Sequence, residues 1–282
     1  MKKRIGACIL LAALLLCQCA CTRQERNSTF SIRFLDVGQG DAALVACDGH
    51  YMLIDGGDVT AGDTVYDALE ENGIQRLDIL AVSHLHTDHC GGLAKALTYA
   101  SSIGVTLCNA SQRDTQAFRD FAHQLEINGS RITVPAIGDT YNLGSATVEV
   151  IDSAAQEEND SLVLLITYGD TRFLFTGDIE EAAQTRLADK YQRKNDEPYR
   201  IDLMKLPHHG SYTGTLYRFL RTFMPDYVVI SCGADNPYGH PHQQTLELLD
   251  GRAWHPEVCR TDRDGDIVVR SNGKRLSVET GR

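Results

Sequence analysis

Seven of the chain's ten histidines fall into three short stretches. These are His84-Leu85-His86-Thr87-Asp88-His89, Pro207-His208-His209-Gly210-Ser211 and Gly239-His240-Pro241-His242. The first has the clearest physical logic. On extended backbone, side chains at i and i+2 point to the same side, so His84 and His86 can bind one cation together. Asp88 and His89 come after the chain bends toward Gly91-Gly92 and can reach a second cation close by. Imidazole and carboxylate suit zinc, and also manganese or iron. The bland alternative is a solvated polar loop. Three histidines and an aspartate within six residues, directly after an apolar run, argue against it.

Two carboxylates end apolar runs. Asp178 follows Phe173-Leu174-Phe175 through Thr176-Gly177, at the tip of a buried strand, where its two oxygens could bridge two ions. Alone it would read as a turn residue. Asp55 follows Met52-Leu53-Ile54 before Gly56-Gly57 and is expected to orient the ligands through hydrogen bonds. His208 and His209 follow Leu203 to Pro207, another strand end. One is expected to bind the second metal and the other to contact substrate or a developing oxyanion. The working assignment is His209 as ligand and His208 as contact, which the residue pattern does not by itself decide. His240 and His242 sit in a loop stiffened by Pro237, Gly239 and Pro241, and two imidazoles near metals would suit an anionic group such as phosphate. Loop histidines of purely structural use are the alternative. His50, His123 and His255 lack such company and read as ordinary.

The elements that must carry these residues follow from apolar spacing. Strands are expected over 31–37, 42–47 and 51–55, with Asp48-Gly49 as a tight hairpin turn, and over 79–83 ahead of the histidine-rich loop. Helices are expected over 64–72, ending at Gly73, from Gly91-Gly92 to about Tyr99, and over 115–127. In the second half, strands are expected over 147–151, 162–168, 172–176, 202–206 and 227–231. Helices fit 179–193, the stretch between the last two strands, and 243–249. A final hairpin over 266–270 and 275–280 turns at Asn272-Gly273. Strands lead and helices punctuate each half, which gives an α/β domain over 30–282 with two packed sheets and helices outside, an αββα sandwich.

Composition narrows the setting. Lys2, Lys3 and Arg4 followed by mostly apolar Ile5 to Leu16 have the form of a secretory leader, too short for a comfortable membrane span. It runs to about residue 21 and ends in Cys17, Cys19 and Cys21, a cluster that suggests a lipid-carrying cysteine. Residues 22–29 then read as a polar tether. The expectation is an extracellular protein, lipid-anchored or secreted, touching the membrane only through that anchor. Cys8 lies within the leader, and the five cysteines beyond it, Cys47, Cys90, Cys108, Cys232 and Cys259, show no C-x-x-C pair and read chiefly as small buried apolar residues. The formal net charge is −11, and the first 21 residues contribute only positive charge, so the domain is more acidic still. That composition speaks against gripping nucleic acid by charge alone.

Taken together, His-x-His-x-Asp-His after a buried strand, preceded by Ile54-Asp55-Gly56-Gly57, resembles the metallo-β-lactamase superfamily. It resembles more closely the hydrolase domain at the C-terminus of the ComEC competence protein and its free-standing relatives. That closer resemblance rests on Leu35-Asp36-Val37-Gly38-Gln39-Gly40-Asp41-Ala42, Asn159-Asp160-Ser161-Leu162-Val163, Phe175-Thr176-Gly177-Asp178, Pro207-His208-His209-Gly210-Ser211 and Asn236-Pro237-Tyr238-Gly239-His240-Pro241-His242. It implies the four-layer αββα metallo-β-lactamase sandwich. It also implies a centre of two divalent ions, zinc or manganese, on His84, His86, Asp88, His89, Asp178 and one of His208 and His209. The superfamily usually has a further histidine before the Ser-Leu-Val strand. Asn159-Asp160 stands there, so Asp160 is expected either to replace it as an oxygen ligand, shifting preference toward manganese, or to leave the first metal position open. This stretch does not include the membrane helices of the competence protein, and a DNA-transporting role is not expected to carry over.

The reaction this implies is phosphodiester hydrolysis, with single-stranded DNA as one substrate. Two ions would acidify a shared water, Asp88 would hold it, and His208, His240 or His242 would meet charge developing on the phosphoryl oxygens. The acidic composition keeps smaller phosphodiesters in view. Two rivals remain at this level: a lactonase or β-lactamase attacking a carbonyl on the same fold, and a non-catalytic tethered binding protein.

Overall fold

A computed structural model describes residues 29–110, 112–192, 198–251 and 254–282. The expected leader, residues 22–28 of the expected tether, and Cys17, Cys19 and Cys21 lie outside the described residues, as does Arg193 at the expected end of a helix.

The strands in chain order are β1 (Phe30–Phe34), β2 (Ala43–Cys47), β3 (His50–Ile54), β4 (Arg76–Val82), β5 (Ser102–Cys108), β6 (Ile132–Thr133), β7 (Thr140–Leu143) and β8 (Ala146–Asp152). They continue with β9 (Val163–Tyr168), β10 (Thr171–Phe175), β11 (Leu203–Lys205), β12 (Tyr227–Ile230), β13 (Glu257–Arg260), β14 (Ile267–Ser271) and β15 (Leu276–Thr280). One sheet runs β15-β14-β1-β2-β3-β4-β5-β6 and the other β13-β12-β11-β10-β9-β8-β7. Each changes from antiparallel to parallel pairing part-way across, at β3–β4 in the first and at β10–β11 in the second.

Burial explains the layering. β1 alternates, with Phe30, Ile32 and Phe34 inward and Ser31 and Arg33 outward, as a strand with one covered face should. The parallel strands β4, β11 and β12 are buried nearly throughout, because helices cover their second face. Phe30 stacks on Phe173 at 4.8 Å and Phe34 on Phe175 at 5.6 Å, joining β1 of one sheet to β10 of the other through the central apolar layer.

The outer layers are α1 (Gly62–Glu71), α2 (Thr87–Cys90), α3 (Leu93–Ala96), α4 (Gln116–Ile127), α5 (Glu181–Tyr191), α6 (Tyr217–Phe223), α7 (Gln243–Asp250) and α8 (Thr261–Asp264). α1 and α4 bury Val65, Leu69, Phe121 and Leu125 against the first sheet. α5 and α6 bury Ala183, Leu187, Phe219 and Phe223 against the second. The result is the αββα sandwich expected from the pattern.

Some elements differ from expectation. The helix expected from Gly91 to Tyr99 shortens to α3, and a helical turn, α2, forms inside the histidine-rich loop. Strands β5, β6, β7 and β13 appear where none was expected. The layout has one consequence for the site: the carboxyl ends of β3, β4, β10, β11 and β12 and the start of β9 supply the clustered side chains described next.

Candidate metal centre

The first histidine stretch leaves β4 in extended conformation and then turns. His86 has φ −71° and ψ 153° and begins α2, so His84 and His86 project together while the helical turn carries Asp88 and His89 inward. His84 Nε2 lies 2.8 Å from His86 Nδ1. From the second sheet, Asp178 enters at the end of β10. Gly177 before it has φ +53°, and a Cβ there would lie 2.6 Å from the Ser161 side chain, so the turn can approach that closely only without a side chain.

Two groups of ligand-type atoms converge, and Asp178 belongs to both: His84, His86 and Asp178 in one, Asp88, His89, His209 and Asp178 in the other. Asp178 Oδ2 lies 3.2 Å from His89 Nε2, 3.6 Å from His209 Nε2 and 3.9 Å from His84 Nε2. His209 Nε2 lies 3.2 Å from Asp88 Oδ2. His208 and His209 both adopt left-handed backbone, with φ 49° and 52°, as does Asp55 with φ 58°. Such conformations cost about 1–3 kcal/mol each for ordinary residues and gather where a site is over-determined by its surroundings.

The outer nitrogens of the histidines are taken up by the protein. His89 Nδ1 donates to Asp55 Oδ2 at 3.0 Å, and Asp55 Oδ1 accepts from the Ser83 amide at 2.7 Å. His209 Nδ1 donates to the Ser231 carbonyl at 3.0 Å, with Asp41 Oδ1 at 3.2 Å. His86 Nε2 meets Glu158 Oε1 at 2.9 Å. His84 Nδ1 lies 3.2 Å from Ser83 Oγ and 3.4 Å from Ser161 Oγ. Fixing the outer nitrogen sets the tautomer and aims the inner one. At the inner face, His89 Nε2 and Asp178 Oδ1 are buried with no hydrogen-bond partner. A mixed imidazole and carboxylate set with unsatisfied buried atoms fits divalent cations.

Asp55 thus bridges His89 and the Ser83 amide. Asp160 does not take the role considered for it. Its carboxylate accepts from the amides of Gln156 and Glu157, both at 2.9 Å, and faces Arg186 of α5 at 3.3 Å, so it is satisfied by its own loop and that helix and stands outside both groups. Glu158, Ser161, Asp41 and Lys205 are the residues that sequence reasoning missed. Glu158, two positions earlier, reaches the site instead. Asp41 is brought in by the Gly38-Gln39-Gly40 loop, where Gly40 has φ +144° and a Cβ would lie 2.4 Å from the Asp88 carbonyl. The Asp41 amide donates to that carbonyl at 3.1 Å. Lys205 Nζ lies 2.8 Å from Asp41 Oδ2. A lysine in the apolar run Leu203 to Leu206 was the one visible sign of it.

The other predicted residues line the approach. His208 is partly exposed, with Nε2 3.9 Å from Asp178 Oδ2 and Nδ1 3.2 Å from Glu180 Oε1. The His240 ring packs 5.6 Å from that of His208 and 6.1 Å from that of His209. His242 sits farther out, 4.8 Å from His240, with Nδ1 accepting from the Tyr212 amide at 3.1 Å.

Charge is distributed unevenly. Burial favours neutral forms, but Asp178, Asp55 and Asp88 outweigh it at His89 and raise its pKa well above the ordinary range. Burial is likewise outweighed at His209, which Asp178 and Asp41 push up to about 10. His84 goes the other way, lowered well below the ordinary range by burial and by His89. His240 is lowered to about 4 by burial and by His209 and His208. Asp178 is held well below the usual carboxylate range by His89 and His209 despite its burial. In the metal-free protein, therefore, two imidazolium groups offset the carboxylates at the positions that cations would neutralise.

Comparison with known proteins agrees with this fold. The sequence profile of the Metallo-beta-lactamase superfamily matches residues 35–100. ComE operon protein 3 of Bacillus subtilis is 26% identical, with 86% of this chain and 33% of that protein covered. Competence protein ComA of Neisseria gonorrhoeae is 28% identical, with 82% and 31% covered. The chain thus spans about a third of the length of these curated relatives. The crystal structure of the metallo-beta-lactamase fold protein YhfI from Bacillus subtilis superposes with a TM-score of 0.56 at 11% identity, covering 86% of this chain and all of that one. The chain has the metallo-β-lactamase fold and is similar over most of its length to competence proteins of the ComEC type.

Proposed function

We propose that this protein is a metal-dependent hydrolase of phosphodiesters. His84, His86 and Asp178 would hold one divalent ion, and Asp88, His89, His209 and Asp178 a second, zinc or manganese. The observation that carries this reading is Asp178, common to two groups of ligand atoms whose histidines have their outer nitrogens engaged elsewhere. Two divalent ions there would supply Lewis acidity and a water acidified into the neutral range.

The remaining roles fall to the chain's own side chains. Asp88 is the more exposed clustered carboxylate and can take up the water's proton. His240 is neutral near pH 7 and can donate a hydrogen bond to a phosphoryl oxygen. His208, beside the same opening, can hold a second. In the overall step the water oxygen forms a new bond to phosphorus, the bond to the leaving oxygen breaks, and a proton passes to that oxygen. The resemblance to the ComEC hydrolase domain makes single-stranded DNA the polymer to test. Glu158 and Glu180 beside the opening favour a short phosphodiester over a long polyanion. A lipid-anchored or secreted location outside the membrane belongs to the same proposal and is supported by the sequence of residues 2–21.

The test is turnover of bis-p-nitrophenyl phosphate and of single-stranded DNA by protein loaded separately with manganese and zinc, repeated with Asp178→Ala. We expect metal-dependent activity that the substitution abolishes, and equal activity in the variant would refute the mechanism. Nitrocefin and a homoserine lactone, run alongside, separate out a carbonyl-ester hydrolase. Tightly bound metal without turnover of any ester would mark a binding protein.

A further inference from the structure

Among the described residues, three groups of side chains are arranged to hold a cation, and they are not alike. Two contain Asp178. The third, Asp41, Asp55 and His89, is wholly buried and already meets a cation of the protein's own. Lys205 is only 3% exposed, and its Nζ lies 2.8 Å from Asp41 Oδ2. The ammonium also donates to the Leu206 carbonyl at 2.9 Å. Asp41, Asp55, Ser83, Lys205 and Ser231 together line an internal cavity of about 10 Å³, which is room for roughly one water.

Burying a lysine among apolar neighbours is costly unless a counter-charge and hydrogen bonds compensate it. Here the counter-charge is directed. One oxygen of Asp41 faces Lys205, and the other lies 3.2 Å from His209 Nδ1 as a contact of charge, since that nitrogen's hydrogen goes to the Ser231 carbonyl and the oxygen has no hydrogen-bond donor of its own. His209 Nε2 then faces Asp88 and Asp178. The path from Lys205 through Asp41 to His209 links strand β11 and the Gly38–Gly40 loop to the second metal position.

We infer that Lys205 is a positioning residue: its ammonium is the resident cation of the third cluster, keeps divalent ions out of it, and pins Asp41 so that His209 stays aimed at the metal position. The inference extends the metal-centre reading. It also differs from the ordinary expectation for a buried ion pair, because it predicts a directional effect on one of two metal positions.

The experiment compares Lys205→Met, Asp41→Asn and the double variant with the unaltered chain, using Mn²⁺ titration of metal-free protein by calorimetry and thermal unfolding. Lys205→Met should weaken one of the two Mn²⁺ binding events by about tenfold to a hundredfold, the range for removing a ligand's supporting partner, and leave the other little changed. The double variant should unfold at a higher temperature than Lys205→Met, because it no longer buries a carboxylate that has lost its ammonium partner, yet keep the weakened Mn²⁺ event. Mn²⁺ binding of unaltered number and affinity in the double variant would overturn the positioning role even if Lys205→Met fails to fold. Should the unaltered chain bind no Mn²⁺, the metal-centre reading and the positioning role fail together. Additive effects of the two substitutions on unfolding would separately reject Lys205 as the cation of this cluster.

Discussion

Glu158 Oε1 accepts from His86 Nε2 at 2.9 Å, and the same oxygen receives Arg113 Nη2 at 2.6 Å. The contact joins a residue of the loop before β9 to the second histidine of the first stretch. It also separates Glu158 from Asp160, whose carboxylate is held by its own loop and by Arg186 of α5. Glu158→Gln is expected to lower affinity at the His84–His86 position by about tenfold, the low end for loss of such a partner. Asp160→Asn should leave metal affinity unchanged and cost about 1–3 kcal/mol of stability through its lost amide and Arg186 contacts. Metal titration and chemical unfolding of both variants check this. The reverse assignment would restore Asp160 as a ligand.

Metal uptake should release protons. His209 is pushed up to about 10 and His89 well above its ordinary value, and a ligating imidazole must give up the proton on its inner nitrogen. Titrating metal into metal-free protein at pH 7.5, in buffers of different ionisation enthalpy, should show net proton release. An enthalpy independent of buffer would contradict it.

The same groups set a pH dependence for the metal-free protein. A histidine whose pKa is raised by folding contributes stability that is complete below its unfolded value near 6.5 and is lost as pH rises through its folded value. For His209 that window is about 6.5 to 10. The melting temperature of metal-free protein should therefore fall across it. Metal-loaded protein should fall less, since its imidazoles carry no such proton. Parallel melting curves with and without metal would count against the assignment.

His240→Ala should separate chemistry from metal binding. The ring is close to His208 and His209 but in neither ligand group, so metal content should be retained while kcat falls. Loss of one donor to developing charge typically costs about a hundredfold to a thousandfold. Metal analysis of the purified variant beside its kinetics distinguishes this from a collapsed site, in which both would drop together.

The sequence made the clustered histidines and aspartates legible because their spacing is local: His84 to His89 lie within one turn of chain, and Asp178 and His209 each follow an apolar run that ends a strand. The partners were hidden because their contacts are remote. Asp41 meets His209 across most of the domain, and nothing in the Gly38-Gln39-Gly40-Asp41 stretch says where its carboxylate points. Glu158 lost to Asp160 because proximity to the Ser-Leu-Val strand says nothing about which side chain the loop turns inward. β5 was missed because Ser101, Ser102 and Gly104 interrupt its apolar pattern. Its burial comes from the neighbouring strand β4 and the helices above, which only the assembled sheet supplies.

Asp178 and His209 leave one sheet, while His84, His86, Asp88 and His89 leave the other, so any cation shared among them is a clasp across the seam between the two halves. In the proposed extracellular setting, where no cell machinery rebuilds a protein that has come apart, local supply of such ions would govern how long each molecule lasts as well as how fast it works. Chelation should be felt first as faster opening of this edge to proteases, with the stacked phenylalanines between the sheets holding longest.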